Sequence, residues 1–321
     1  MNPGSMRTAR ALQIMAGLAL ALLAMAASAA SAASPGLDAY TRAMAALRAG
    51  DDATARASAL EACDQGEARG CLVAGFLLKE GRGGPGDDTA ARRLLSEACR
   101  GDQADGCFQH GILLRDGRGG AAHASLARGA FARACELGSA RGCSDLGQLF
   151  ENGQGGSADV SMARTLYARG CNGGNMPGCL NFGLSHRNAE PRDPQQARAG
   201  FQGACNGGLG DGCYMLGLVQ QEDNQDEASR ASFEAACALG SAAGCGLWGV
   251  ALSDPGPGQD NAAALGAFRQ GCEGGYPPAC FNLGSFLRAG VGGPEGAAGA
   301  RDAFTRACQL GHENACREIS Q

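Results

Sequence analysis

Large side chains are scarce in this sequence of 321 residues: aromatic residues make up 5%, and Trp248 is the only tryptophan. With so little bulk, the chain cannot fill two ordinary hydrophobic cores, although its length would suggest about two domains. Lysine is nearly absent too, because Lys79 is the only one. The net charge of −5 argues against nucleic acid or an anionic membrane surface as a partner. Something other than bulky apolar side chains must add stability.

Catalytic and metal-binding motifs are also missing. A serine β-lactamase of the common type needs Ser-x-x-Lys, but the residue three positions before Lys79 is Phe76. The four histidines are spread along the chain and form no His-Glu-x-x-His motif for zinc. No Cys-x-x-Cys pair is present for redox chemistry or haem attachment. The sequence therefore predicts no catalytic residue, no metal and no cofactor.

The N-terminal segment has the layout of an export signal. Arg7 and Arg10 precede an almost unbroken apolar stretch at 11–26, and small residues with A-x-A patterns follow at 27–32. We predict a secretory signal peptide at 1–33 and a secreted or periplasmic protein. An uncleaved membrane anchor is the alternative, since the apolar stretch approaches a membrane-spanning length. We expect the membrane to be a partner only if this segment is not cleaved.

Cysteine and glycine are abundant, with 16 and 53 residues. The cysteines fall into pairs whose members are eight positions apart, and no cysteine is left over. Successive pairs begin 32 to 36 residues apart, which is the period of a solenoid of two-helix units. The pairs are Cys63/Cys71, Cys99/Cys107, Cys135/Cys143, Cys171/Cys179, Cys205/Cys213, Cys237/Cys245, Cys272/Cys280 and Cys308/Cys316.

Other positions keep the same register as the cysteines. A bulky residue precedes the first cysteine by four positions in seven of the eight pairs, as with Phe131 and Tyr167, and Ala59 is the exception. A glycine follows the second cysteine by four positions in the seven units that continue, as with Gly147. A third position, three after the first cysteine, holds glycine in seven of eight pairs, and Gly101 stands one position early in the second unit. We expect this third glycine to end a helix in the left-handed conformation.

Cysteines eight positions apart can be linked only if the chain reverses between them. In a continuous α-helix they would lie about 12 Å apart, whereas a disulfide needs Cα atoms within roughly 7 Å. We therefore predict that the first cysteine of each pair closes one helix and the second opens the next. Zinc is the competing interpretation, but cysteine sites for zinc usually have Cys-x2–4-Cys spacing. Disulfides are favoured for all sixteen cysteines.

The motif Gly-Cys-x-x-x-Gly at the start of one helix resembles the Sel-like repeats, relatives of the tetratricopeptide repeats. It is clearest at 142–147 and 178–183, and 280–284 shows the same Cys-x-x-x-Gly without the leading glycine. The resemblance covers about 38–316 and implies an all-α, α/α superhelical solenoid, a single array of about seven to eight repeats over 34–321. The Cys-x7-Cys pairs are similar to a cysteine-rich secreted bacterial branch. Resemblance to that branch implies a slow β-lactamase or a binder of penicillins and peptidoglycan fragments. Resemblance to the wider family implies an adaptor scaffold.

A candidate groove lies two and five residues after the second cysteine, on positions that point away from the predicted Gly/Cys face. Solenoids often bind extended ligands along such a helix face. We therefore expect a monomeric scaffold that binds a protein, a peptide or a peptidoglycan fragment. The alternatives are a weak β-lactamase or peptidoglycan hydrolase, which rests on the resemblance alone, an assembly factor for envelope complexes, and a solvated face without a ligand. The candidate groove residues are Gln109, Asp145, Gln148, Asn181, Asn282 and Ser285.

Overall fold

The computed structural model describes residues 34–255, 259–291 and 296–319. The predicted signal peptide at 1–33 lies outside the described residues. Within these ranges the chain forms seventeen α-helices and no β-strand, which confirms the all-α prediction. No helix in the described ranges is both long enough and apolar enough to cross a membrane.

The chain divides into two compact units, of which the first ends at Gly101 and the second begins at Asp102. The first unit contains α1 (Pro35–Arg48), α2 (Asp52–Asp64), α3 (Ala68–Lys79) and α4 (Asp88–Arg100). The second unit contains α5 (Ala104–Asp116), α6 (Ala124–Glu136), α7 (Ala140–Glu151), α8 (Val160–Asn172), α9 (Met176–Arg187), α10 (Pro194–Asn206), α11 (Gly210–Glu222), α12 (Asp226–Ala238), α13 (Ala242–Ser253), α14 (Asn261–Glu273), α15 (Pro277–Arg288), α16 (Gly296–Gln309) and α17 (Glu313–Ile319).

Short polar side chains start many of these helices. The Asp159 carboxylate accepts a hydrogen bond from the Met162 N–H at the start of α8, and Asp193 does the same for Gln196 at the start of α10. Ser139 caps α7 in the same way, through the N–H of Gly142. Each cap satisfies one of the backbone donors that a helix leaves unpaired at its first turn. These residues set where the helices begin, and hence the register of the repeat.

Successive helices pair into hairpins, α5 with α6, α7 with α8, and so on. Within the seven hairpins from α3–α4 to α15–α16, a bulky side chain of the second helix lies on a glycine of the first. A Cβ carbon on Gly111 would lie 2.6 Å from Cε1 of Phe131, so only glycine permits this approach. The same contact recurs in Gly75–Leu95, Gly147–Tyr167, Gly183–Phe201, Gly217–Phe233, Gly249–Phe268 and Gly284–Phe304. The two sequence-predicted positions thus form the core of these seven hairpins.

The disulfides join the second helix of one hairpin to the first helix of the next. Cys135 is near the end of α6 and Cys143 is in the first turn of α7, and their Cα atoms are 4.5 Å apart. Cα separations of 4.3 to 4.7 Å recur in Cys63–Cys71, Cys171–Cys179, Cys205–Cys213, Cys237–Cys245, Cys272–Cys280 and Cys308–Cys316. Cys99 and Cys107 are also disulfide-bonded. The predicted reversal between paired cysteines is confirmed.

The residue three positions after the first cysteine takes the left-handed conformation. Gly138 has a φ of +91°. Gly101, which the sequence suggested for this role in the second unit, instead has a φ of −88°. The left-handed residue there is Asp102, with a φ of +58°. The expectation for Gly101 is wrong because the backbone conformation follows the distance from the cysteine, and aspartate tolerates this conformation better than most non-glycine residues.

Candidate functional site

The candidate site is a row of side chains on the first helices of the hairpins in the second unit. It consists of the residues two and five positions after the second cysteine of a pair, on α5, α7, α9, α11, α13 and α15. We call this set the groove row. All twelve keep part of their surface exposed, whereas the glycine four positions after each cysteine is buried. The members are Gln109, Ile112, Asp145, Gln148, Asn181, Leu184, Met215, Leu218, Leu247, Val250, Asn282 and Ser285.

Side-chain contacts join the first helices α5 and α7 at the groove row. Arg115 of α5 reaches Asp145 of α7, with Nη1 3.3 Å from Oδ2. In the opposite direction, Arg141 of α7 donates to Asp105 of α5 over 3.0 Å. The guanidinium group of Arg141 also lies 4.7 Å from the centre of the Phe108 ring. These three contacts join α5 and α7 along this face.

Asp145 is the one carboxylate of the groove row. Burial raises its pKa, and the neighbouring Arg115 opposes this effect. Its side chain keeps 24% of its surface exposed. The ion pair with Arg115 holds the carboxylate in place, and a carboxylate has acceptor sites left for a hydrogen bond from a ligand.

The polar members of the row differ in what they already bind. The Ser285 hydroxyl donates to the Phe281 carbonyl within its own helix, over 3.0 Å. Gln148 is exposed, and Gln109 is half-buried. Within the described ranges, the side-chain amides of Asn181 and Asn282 have no hydrogen-bond partner. These two amides are half-buried and can each offer a donor and an acceptor to a ligand.

Apolar side chains occupy the middle of the row. Leu184 and Met215 pack against the same core cluster as Phe201. Further along, Leu247 and Val250 line an open cavity of about 740 Å³. These two residues were not predicted from the sequence, although their distances from Cys245 place them in the row. The row thus has an apolar centre between polar residues on α5–α9 and on α15.

A second set of side chains was not predicted from the sequence, a row of arginines seven positions before the first cysteine of a pair. The Nη1 atom of Arg56 donates to the Pro85 carbonyl in the next hairpin's loop, over 2.8 Å. Arg128 reaches the Ser157 carbonyl in the same way, over 3.3 Å. The sequence pattern that could have predicted this row is the arginine at the same position in seven of the eight repeats. This arginine row is Arg56, Arg92, Arg128, Arg164, Arg198, Arg230 and Arg301, with Leu265 at the equivalent position of the seventh repeat.

One group of potential metal ligands comes together in the first unit. The sulfur atoms of Cys63 and Cys71 and a carboxylate oxygen of Glu97 lie within 4.8 Å of one another. Both sulfurs belong to one disulfide, and metals bind cysteine as the free thiolate. This group therefore fits a carboxylate lying over a disulfide and does not fit a metal site.

Many solved structures are similar to this chain, and two of them match it over most of its length. No family model matches the sequence, and no curated protein sequence matches it. The first structure is c5321 of uropathogenic Escherichia coli, a protective antigen displaying an SLR fold, with a TM-score of 0.75 and 20% identity over 89% of this chain. This chain spans only 64% of that protein's chain. The second is a Sel1 repeat protein from Oxalobacter formigenes, with a TM-score of 0.70, 16% identity, and coverage of 91% and 94% of the two chains.

At these identities the similarity establishes architecture, and activity has to be argued from the residues. The all-helical composition, the hairpin register and both structural similarities agree. The chain therefore has the fold of the Sel1-like repeat (SLR) proteins, as its sequence resemblance predicted.

Proposed function

We propose that the protein is a binding scaffold for an extended peptide, held along the groove row in an oxidising compartment outside the cytosol. The observation that carries this proposal is the row itself, with an apolar centre and half-buried amides at Asn181 and Asn282 on either side. Asparagine amides pair well with the N–H and C=O groups of an extended backbone. The apolar centre would accept aliphatic side chains of the peptide.

The spacing of the helices sets the length of such a ligand. Six first helices packed about 9–10 Å apart span about 50 Å. An extended chain rises about 3.3 Å per residue, so about fifteen residues would cover the row. A peptide of this length with apolar residues at its centre and polar residues towards its ends is the expected ligand class.

The cysteines support the proposed location. Disulfides form and persist in secreted and periplasmic proteins and are rare in the reducing cytosol. Fourteen cysteines form the seven described bridges, and the other two are also oxidised. Secretion or periplasmic residence is therefore part of the proposal, together with cleavage of the segment 1–33 and a monomeric state.

A selection from a library of random fifteen-residue peptides on the oxidised protein tests the proposal. The affinity of selected peptides is then measured by fluorescence polarisation. Asn181→Ala and Asn282→Ala should each weaken binding about tenfold, because a lost hydrogen bond in a partly buried interface costs roughly 1–1.5 kcal/mol. Asn172→Ala, an exposed asparagine at the end of α8, is the matched control and should bind as the unsubstituted protein does.

Equal binding by all three variants would overturn the proposal. The alternatives give other outcomes. Nitrocefin hydrolysis by the pure protein, abolished by one substitution, would favour the β-lactamase alternative, and turnover of peptidoglycan would favour a hydrolase. Retention of an envelope complex from solubilised membranes would favour an assembly factor.

A further inference from the structure

The fourth member of the arginine row has lost the partner that its equivalents bind. Arg56 and Arg128 each donate through Nη1 to a carbonyl of the following loop. Arg198 instead pairs with the Asp223 carboxylate. Arg164 donates only through Nε, to the buried Ser185 hydroxyl over 3.1 Å. Both terminal nitrogens of Arg164 are without a partner among the described residues.

The cause is a change in the loop that follows α9. The first hairpins of the array have glycine-rich loops whose carbonyls the arginines reach, whereas here the residues are Pro191-Arg192-Asp193-Pro194. The two prolines fix φ and remove backbone donors, so this segment is stiffer than the glycine-rich loops. The loop now forms one wall of an open cavity of about 600 Å³.

Positive charge predominates in this cavity. Its lining includes Arg164 from α8, His186 from α9 and Arg192 from the loop. Arg192, like Arg164, pairs with no carboxylate in the described part of the chain. Asp193 is the one carboxylate among the lining residues. One of its oxygens caps α10 through the Gln196 N–H, over 3.1 Å, and the other lies 3.9 Å from Nδ1 of His186.

We propose that this cavity binds an oxyanion, the phosphate or carboxylate group of a small molecule, which Arg164 and Arg192 hold through their terminal nitrogens. Guanidinium groups match both anions because their parallel N–H donors can meet two oxygens at once. His186 supplies a further donor at the cavity wall. None of the groove-row residues lines this cavity, so the site is independent of the proposed peptide binding.

Isothermal titration of the oxidised protein with inorganic phosphate, and separately with acetate, tests this inference. We expect saturable binding of one anion per chain, and the ratio of the two affinities identifies phosphate or carboxylate as the preferred group. Arg192→Gln and Arg164→Gln should each weaken binding about tenfold, because a charge-assisted hydrogen bond is lost. Arg301→Gln is the matched control, since Arg301 holds the equivalent place in the arginine row but is exposed on α16.

The exposed position of Arg192 keeps the test independent of folding, because its removal disturbs no buried contact. Binding to the Arg192 and Arg164 variants at the strength of the unsubstituted protein would overturn the inference. The same conclusion would follow if Arg301→Gln weakened binding equally, or if neither anion bound saturably. Chemical-shift changes at the His186 imidazole on adding phosphate, absent in Arg164→Gln, would place the anion in this cavity.

Discussion

The ring of Tyr167 lies directly on Gly147, where a Cβ carbon would sit 2.7 Å from Cε1 of the ring. The Tyr167 hydroxyl also donates to Glu151, over 2.7 Å, one helical turn further along α7. Burial and this hydrogen bond raise the pKa of Tyr167 well above its ordinary value. One helix therefore holds the ring at two points, and the glycine sets how closely α7 and α8 approach.

Gly147→Ala should destabilise the protein. Alanine favours a helix over glycine by about 1 kcal/mol, but its methyl group would collide with a fully buried ring. Overpacking of a core costs about 1–3 kcal/mol, so we expect a net loss of up to about 2 kcal/mol in the free energy of unfolding. Urea denaturation followed by circular dichroism measures this loss.

Gly129→Ala is the matched control for that experiment. Gly129 lies within α6, is exposed, and a Cβ there would meet nothing within 4 Å. The substitution therefore changes only the helix propensity, and the free energy of unfolding of this variant should rise by about 0.5–1 kcal/mol. A loss of stability in Gly129→Ala as large as in Gly147→Ala would contradict the role given to the Gly147–Tyr167 contact.

Gly138→Ala tests the turn between hairpins without any collision. Gly138 has a φ of +91°, and no atom lies within 4 Å of an added Cβ. The cost is therefore one of backbone conformation, and we expect a loss of about 1–2 kcal/mol. Gly138→Asn should lose less stability than Gly138→Ala, because asparagine adopts the left-handed conformation more readily than alanine does. Thermal unfolding of the two variants side by side checks the order, and equal losses would refute it.

Arg128→Ala tests the loop contact of the arginine row. The guanidinium group of Arg128 lies 3.5 Å from the centre of the Phe150 ring, besides its hydrogen bond to Ser157. Their loss should cost about 1 kcal/mol and speed amide exchange in the loop at 153–159. Hydrogen exchange with mass spectrometry reads this change. Arg301→Ala, an exposed member of the same row, should leave exchange unaltered, and an unchanged loop in Arg128→Ala would argue against the contact.

His186 should titrate below its ordinary pKa of 6.5. Burial disfavours the imidazolium ion, and the positive charge of Arg164 adds to this effect, whereas Asp193 opposes it. The unfolded chain then binds the proton more readily, so His186 lowers the stability of the fold as the pH falls through 6.5. An NMR titration of the imidazole measures the pKa directly. Arg164→Gln should raise the pKa, and a value at or above 6.5 in the unsubstituted protein would count against this environment.

The hairpin core and the junctions could be predicted from the sequence because each rests on a residue at a fixed distance from a cysteine. Phe131 and Gly111 are examples, since helical spacing alone places both on facing sides of one hairpin. The partners of Arg128 and Arg164 could not be predicted in this way. Arg128 reaches a loop 29 residues ahead, and no periodic pattern fixes a loop conformation. Arg164 instead reaches Ser185 on α9, 21 residues ahead, because the loop that follows α9 has a different composition.

One prediction from the repeat register was wrong, the identity of the left-handed residue in the second unit. Gly101 looked like the left-handed residue because glycine is the common choice, yet the cysteine spacing assigns that role to Asp102. Asp102 also receives a hydrogen bond from Arg133, over 2.6 Å. The groove row was visible as a set of positions, but the sequence could not tell that Ser285 is already bonded within its helix while Asn181 is not.

The central claim is that short-range disulfides tie each hairpin to the next. Each bridge closes a loop of about nine residues, worth roughly 2.5 kcal/mol in the chain-entropy model. Mass spectrometry of peptides from a non-reduced digest tests this claim most directly. We predict that every cross-linked peptide joins two cysteines eight positions apart and that no free thiol is found. Long-range links between repeats, free thiols or bound zinc would contradict the account.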